Sequence, residues 1–247
     1  MKLALVTTSP GVPSAIGEYT RALLPHLRER CEVAVFVEPG ADPGEHEEFA
    51  GAPAAPITAL DPREHERVLF QLGNEPAQAF MPPVVRAIGG TVMLHHWALR
   101  DLTAAAYPAL SQGGLSALTR AVREGGLAQA RALLARRAAP ADAAAEEGER
   151  PESGVELTLN RSIVRHADSF FVHSRKVGER IRDDRNAPTA IALIPRVEPG
   201  AEDGDWDELA RVVVGHLEHY PGPRTTRGAR VAFGAWKSGL AARVKGA

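Results

Sequence analysis

The chain has 247 residues, of which 44% are hydrophobic and 24% charged, and its formal net charge at neutral pH is −2. These values are ordinary for a globular domain and give no reason to expect a nucleic-acid partner. Cys31 is the one cysteine, which excludes an internal disulfide and fits a cytoplasmic location. No apolar run approaches the roughly 20 residues of a membrane span, so we expect no integral membrane segment.

The first forty residues predict a strand, a loop, a helix and a second strand. Residues 2–8 are apolar and end in small polar residues, and residues 31–37 are rich in valine, as buried strands are. Between them, apolar residues recur at helical spacing over residues 16–30, and Ser14 stands at the N-cap position. This order is the βαβ unit of a parallel sheet.

The same alternation continues along the chain. A helix is predicted over residues 77–87, with Pro82 and Pro83 as an interruption. Four further strands are predicted, at residues 67–72, 91–95, 169–172 and 190–194. Six strands separated by helices predict an α/β fold with a doubly wound, mostly parallel, Rossmann-like sheet.

We assign residues 1–199 to this Rossmann-like domain and residues 200–247 to a linker and a C-terminal helical segment. An amphipathic helix is predicted over residues 206–220, since apolar residues form one stripe there. Residues 138–153 combine alanine, acidic residues and proline without an apolar period, so they predict a mobile surface loop.

Ligands of open α/β sheets bind beyond the carboxyl ends of the strands. Four segments lie at such ends: residues 8–17, Gly73-Asn74-Glu75, His95-His96 and His173-Ser174. They predict a shared site, although strand ends are polar in any fold. The small residues of 8–17 would let backbone N–H groups approach a phosphate or a sugar. However, their spacing matches no phosphate-binding motif, so a tight strand-to-helix turn is the alternative.

His95 and His96 are adjacent on a strand, so their side chains point to opposite faces and do not share a metal. One of them is expected at the rim, where an imidazole of near-neutral pKa suits a hydrogen bond to a sugar hydroxyl or general-base chemistry. The alternative is that both are structural polar residues at a strand end. Metal-ligand spacings and nucleophile motifs are absent from the sequence, so we predict no metal and no cofactor.

Five ordered segments together resemble the N-terminal, acceptor-side half of GT4-type glycosyltransferases, which have the GT-B fold. These segments cover about four-fifths of the chain, and their order and spacing are more specific than any single match. They are Ile16-Gly17-Glu18-Tyr19 after the first strand, Gln71-Leu72-Gly73-Asn74-Glu75-Pro76, His95-His96-Trp97, Asn160-Arg161 through His173-Ser174, and Ile194-Pro195.

The resemblance implies a cleft between two Rossmann-like domains, with His95 as the acceptor-side catalytic histidine. Ile16 and Gly17 would line this cleft beside the donor phosphates, and Asn74 and His173 would lie at its rim. The same loops add four cleft-lining candidates, namely Ser14, Glu75, His96 and Ser174.

The chain departs from the family where the donor-binding domain should follow. In the family that domain supplies basic residues and a Glu-x7-Glu motif, but the sequence from Pro195 to Ala247 is too short for it and contains no such pair. Residues 206–220 instead resemble the family's closing helix. We therefore expect a half enzyme with a sugar or glycan acceptor, completed by a donor-domain partner chain or a homodimer. The alternatives are a non-catalytic binding or regulatory module and a self-sufficient small enzyme.

Overall fold

The computed structural model describes residues 1–39, 48–49, 51–138, 155–185, 188–220 and 222–245. Over these residues the fold is α/β, with helices on both faces of one sheet. The strands are β1 (Lys2–Val6), β2 (Glu32–Val37), β3 (Glu48–Phe49), β4 (Ala52–Pro56), β5 (Arg67–Leu72), β6 (Thr91–Leu94), β7 (Ser169–Val172) and β8 (Ala190–Leu193). The helices are α1 (Ala15–Arg28), α2 (Met81–Ile88), α3 (Arg100–Ala106), α4 (Ala109–Gln112), α5 (Gly114–Ala138), α6 (Arg161–His166), α7 (Arg175–Arg185), α8 (Asp203–Glu218) and α9 (Arg227–Lys245).

The strand order confirms the predicted doubly wound, mostly parallel sheet. It runs β3-β4-β2-β1-β5-β6-β7-β8, and every neighbouring pair is parallel except β3 with β4. With β3 set aside, the order from β4 to β7 is the Rossmann order 3-2-1-4-5-6, which β8 extends by one strand. The direction of winding changes between β1 and β5, so a crevice is expected at their carboxyl ends.

The central strand β1 shows why the apolar runs become buried strands. Leu3 and Leu5 pack into the core on one face of the sheet, while Ala4 and Val6 pack into the core on the other. Because successive side chains of a strand point to opposite faces, a strand covered by helices on both sides is apolar throughout. The continuous run in the sequence therefore encodes a position in the middle of the sheet.

Strand β4 and the start of helix α2 differ from the predictions. Strand β4 was not predicted because Ala-Pro-Ala-Ala-Pro has no β-branched or aromatic residue; its prolines are tolerated because it lies near the edge of the sheet, with only the short β3 outside it. Pro82 and Pro83 do not interrupt a helix, because they lie in the first turn of α2, where backbone N–H groups need no helical partner. The predicted loop at 138–153 lies outside the described residues, apart from Ala138 at the end of α5.

The C-terminal segment covers both faces of the sheet. Helix α8 begins at Asp203, earlier than predicted, and its apolar side, including Trp206 and Leu217, packs on α1 within one core. Helix α9 lies against α2 on the opposite face, where Phe233 joins the other core. No helix among the described residues is long and apolar enough to cross a membrane.

Candidate functional site

The predicted strand-end residues meet at one edge of the sheet, beyond the carboxyl ends of β1, β5, β6 and β7. They form two neighbouring groups. The first, here called the α1 cap, contains Ser14, Gly17 and Glu75. The second, called the ring cluster, contains Tyr19, His95 and His173.

The α1 cap joins the loop after β1 to the loop after β5. Ser14 is the N-cap of α1, and its Oγ accepts a hydrogen bond from Gly17 N–H at 2.9 Å. The same hydroxyl donates to the Glu75 carboxylate, which also accepts from Ile16 N–H at 3.4 Å. A carboxylate thus lies on the N-terminus of α1, where the helix dipole and unpaired N–H groups favour negative charge.

Glycines allow α1 to approach the strand ends closely. A β-carbon at Gly73 would lie 2.9 Å from Ile16 Cγ1 and 3.3 Å from His96 Nδ1. A β-carbon at Gly17 would lie 3.1 Å from Oγ1 of Thr8, a buried hydroxyl that has no hydrogen-bond partner among the described residues. The small residues of the predicted loop therefore serve close packing of α1 on the sheet.

The ring cluster brings together side chains from three different elements. Tyr19 of α1 meets His95, after β6, edge to face with ring centroids 4.6 Å apart. His173, after β7, lies 5.2 Å from the ring of His95 and 6.2 Å from that of Tyr19. Trp206 of α8 packs 5.0 Å from Tyr19 and covers this side of the cluster.

Hydrogen bonds fix which nitrogen of each histidine is left free. His95 Nε2 lies 2.8 Å from Gln71 Oε1, and His173 Nδ1 lies 3.1 Å from the carbonyl oxygen of Pro195. The carbonyl oxygen only accepts, so His173 Nδ1 carries the proton and His173 Nε2 is left as an acceptor. His95 Nε2 is paired with the Gln71 side-chain amide, which leaves His95 Nδ1 as the free nitrogen. His173 Nε2 and the Tyr19 hydroxyl are buried and have no partner within the described part of the chain.

Burial keeps the ring cluster uncharged. It lowers the pKa of His95 to about 3, and the nearby His173 and His96 act in the same direction. Burial also lowers the pKa of His173 and raises that of Tyr19. The near-neutral pKa expected for a rim histidine therefore does not apply to His95, which at neutral pH offers an uncharged hydrogen-bonding ring and is a weak base.

Three of the predicted site residues have other surroundings. The side-chain oxygen of Asn74 accepts from the N–H groups of Asp101 at 2.8 Å and Leu102 at 3.3 Å, so it caps α3. Ser174 Oγ accepts from Val177 N–H at 3.4 Å at the start of α7. His96 is exposed, in contrast to His95. The two groups thus bring together Ser14, Gly17 and Glu75 in one and His95 and His173 in the other, from the predicted set.

Sequence reasoning missed three residues of this edge. Tyr19 looked like one more apolar residue in the stripe of α1, although its hydroxyl was a signal of a polar role. Gln71 lies within an apolar strand, where a fully buried amide requires a hydrogen-bond partner. Trp206 comes from the C-terminal segment, and nothing in local periodicity indicates that α8 returns to α1.

Within the described ranges, one group of side chains is close enough to hold a metal ion. His26, Glu29 and Asp207 offer ligand atoms within 4.8 Å of one another. They lie at the C-terminal end of α1 and the start of α8, at the opposite end of α1 from the α1 cap. Asp207 already pairs with Arg30 at 2.5 Å, which opposes a cation there. The candidate site itself shows no such group.

No family model matches the chain, and no curated protein matches its sequence.

Proposed function

We propose that this chain is the acceptor-binding half of a sugar-nucleotide-dependent glycosyltransferase, whose donor site a partner chain or a second copy completes. The ring cluster is the observation that supports this most. It combines two uncharged imidazoles and a phenol beyond the carboxyl ends of β6 and β7, beside the switch point between β1 and β5. His173 Nε2 and the Tyr19 hydroxyl are buried without a hydrogen-bond partner among the described residues, so a ligand that reaches them would supply one. Sugar hydroxyls both donate and accept hydrogen bonds. A site with a few hydrogen-bonding side-chain atoms beside aromatic rings is therefore suited to a saccharide.

The charged groups near this edge support acceptor rather than donor binding. A nucleotide-sugar donor leaves as a diphosphate, which needs cations or N–H groups to stabilise its charge. Here the Glu75 carboxylate occupies the N-terminus of α1. Arg196, which lies close enough to influence both histidines, is exposed and pairs with Glu198 at 2.6 Å. Donor binding would then require groups from another chain.

In this proposal His95 positions the acceptor hydroxyl through Nδ1. With its pKa lowered to about 3, the ring is uncharged at neutral pH, and Nδ1, the nitrogen not paired with Gln71, is free to form a hydrogen bond with the hydroxyl. Gln71 orients the ring through the hydrogen bond between its Oε1 and His95 Nε2, which lie 2.8 Å apart. Removal of the hydroxyl proton would need a stronger base, or a change in surroundings when the partner binds.

One observation favours a second candidate, a non-catalytic carbohydrate-binding module. A histidine whose pKa lies several units below neutrality is poorly matched to proton transfer, but it remains a good acceptor of hydrogen bonds. The two candidates differ in whether sugar transfer occurs once a partner chain is added. They agree that the ring cluster binds a saccharide.

A microarray of neutral oligosaccharides tests this shared expectation. We expect selective binding by the wild-type chain, and its loss in His95→Ala and in Tyr19→Phe, a variant that keeps the ring and removes the hydroxyl. His96→Ala is the matched control, because His96 is exposed beside the cluster. Absence of any saccharide binding, or binding by Tyr19→Phe and His95→Ala as tight as by the wild type, would contradict the proposal.

A further inference from the structure

Building on the proposed function, we propose that Glu75 makes this edge selective for unphosphorylated ligands. Its carboxylate occupies the place at the N-terminus of α1 where a phosphate would bind. The ligand class that follows is an uncharged, polyhydroxylated molecule. Glu75 is thus a specificity-determining residue, and its effect is measurable without knowledge of the saccharide.

The hydrogen bonds of the α1 cap occupy the donors at the N-terminus of α1. Ser14 Oγ satisfies Gly17 N–H, and the Glu75 carboxylate accepts from Ile16 N–H and from the Ser14 hydroxyl. These are donors that an anion would use at the start of a helix. A phosphate approaching them would meet a negative charge at contact distance, so both repulsion and the loss of donors oppose its binding.

Thr8 lies against Gly17 in the first turn of α1, on the side of the sheet. Oγ1 of the fully buried Thr8 has no partner among the described residues, and it lies 3.1 Å from the position of a β-carbon on Gly17. An unpaired hydroxyl and a glycine therefore border the helix N-terminus. The place has the small residues and polar donors of an anion site, and the protein's own carboxylate lies in it.

The loop that carries Glu75 is held by hydrogen bonds of other groups. Gly73 N–H donates to Gln78 Oε1 at 2.7 Å, and Gln78 N–H donates to the Glu75 carbonyl oxygen at 3.1 Å. Neither bond uses the Glu75 carboxylate. Glu75→Ala is therefore expected to leave the loop in place and to free Ile16 N–H and the Ser14 hydroxyl. Glu75→Gln removes the negative charge but keeps a side-chain oxygen that accepts hydrogen bonds from these groups.

The test measures binding of inorganic phosphate and of uridine diphosphate by calorimetry and by melting temperature, at constant ionic strength. Glu75→Ala and Glu75→Gln are compared with the wild type and with Glu64→Gln, a control that removes the same charge from an exposed residue just ahead of β5, at its amino end. We expect Glu75→Ala to bind phosphate at least about tenfold more tightly than the wild type, and Glu75→Gln, which removes only the charge, to show a smaller gain. Glu64→Gln should behave as the wild type.

The proposal would be overturned if neither Glu75 variant bound phosphate more tightly than the wild type. Glu75→Gln keeps the size of the side chain, so its affinity for phosphate tests the proposal if Glu75→Ala does not fold. Saccharide binding by the wild type reports separately on the proposed function. Failure of the Glu75 test with retained saccharide binding would remove only the selectivity role.

Discussion

His95 and His173 lie with ring centroids 5.2 Å apart because β6 and β7 are adjacent parallel strands in register. Leu94 pairs with Val172, so the next residues of the two strands emerge side by side at the carboxyl edge. Tyr19 of α1 then packs against His95 and lies within ring-contact distance of His173. The ring cluster is therefore a consequence of sheet register, and its unpaired polar atoms are held in place by the core beneath them.

The low pKa of His95 predicts an acid-dependent loss of stability. The folded pKa is about 3 and the unfolded value is about 6.5. Above pH 6.5 both states are neutral, and below it only the unfolded chain takes up the proton, so stability falls as the pH drops from 6.5 towards 3. Between pH 7 and pH 5 His95 should lower the free energy of unfolding by about 2 kcal/mol.

Urea unfolding at pH 7 and pH 5 measures the contribution of His95 to the free energy of unfolding when the wild type is compared with His95→Asn. The variant should lose about 2 kcal/mol less than the wild type over that interval. His216, whose pKa burial also lowers, to about 4, contributes equally to both proteins. His96→Asn is the control and should follow the wild type. Identical pH dependence in wild type and His95→Asn would show that His95 titrates normally.

Alanine substitution at Gly73 and at Gly215 should change the stability of the protein in opposite directions. A β-carbon at Gly73 would lie 2.9 Å from Ile16 Cγ1, so Gly73→Ala should lower the free energy of unfolding by about 1–3 kcal/mol. Gly215 lies inside α8 with nothing within 4 Å of a β-carbon, so Gly215→Ala should raise stability by about 0.5–1 kcal/mol. Denaturant unfolding at neutral pH checks both, and the same sign for the two variants would contradict the packing described.

Trp206 anchors α8 on α1 and covers the ring cluster. Its side chain is 2% exposed and lies 5.0 Å from the ring of Tyr19, so Trp206→Ala should cost about 3–5 kcal/mol of stability. Val231→Ala is the control, because Val231 is 64% exposed on α9 and its truncation should change stability by less than about 0.5 kcal/mol. Equal, small effects in both variants would mean that α8 is not part of the folded core.

The sheet was predictable because its central strands are buried on both faces, which leaves unbroken apolar runs such as Leu3 to Val6 in the sequence. Strand β4 escaped prediction because its stability comes from pairing with β2 rather than from its own alanines and prolines. Local patterns carry little information about pairing between distant segments.

Part of the candidate site could also be predicted from the order of the strands. Strand ends pointed to His95, His173 and Glu75, since the carboxyl ends of parallel strands meet at one edge. The partnership of Tyr19 with these histidines depends on how α1 lies on the sheet, which periodicity does not give. The lowered pKa of His95 depends in turn on its burial in the folded protein.

The most direct test of the half-site is a melting-temperature panel of the purified chain with neutral saccharides and with UDP-, GDP- and ADP-sugars. A ligand at 100 times its dissociation constant should stabilise by about 2.7 kcal/mol, a shift of several degrees. We predict a rise with at least one neutral saccharide and none with any nucleotide sugar. A rise with a nucleotide sugar and none with any saccharide would contradict the account, because the chain would then bind a donor by itself.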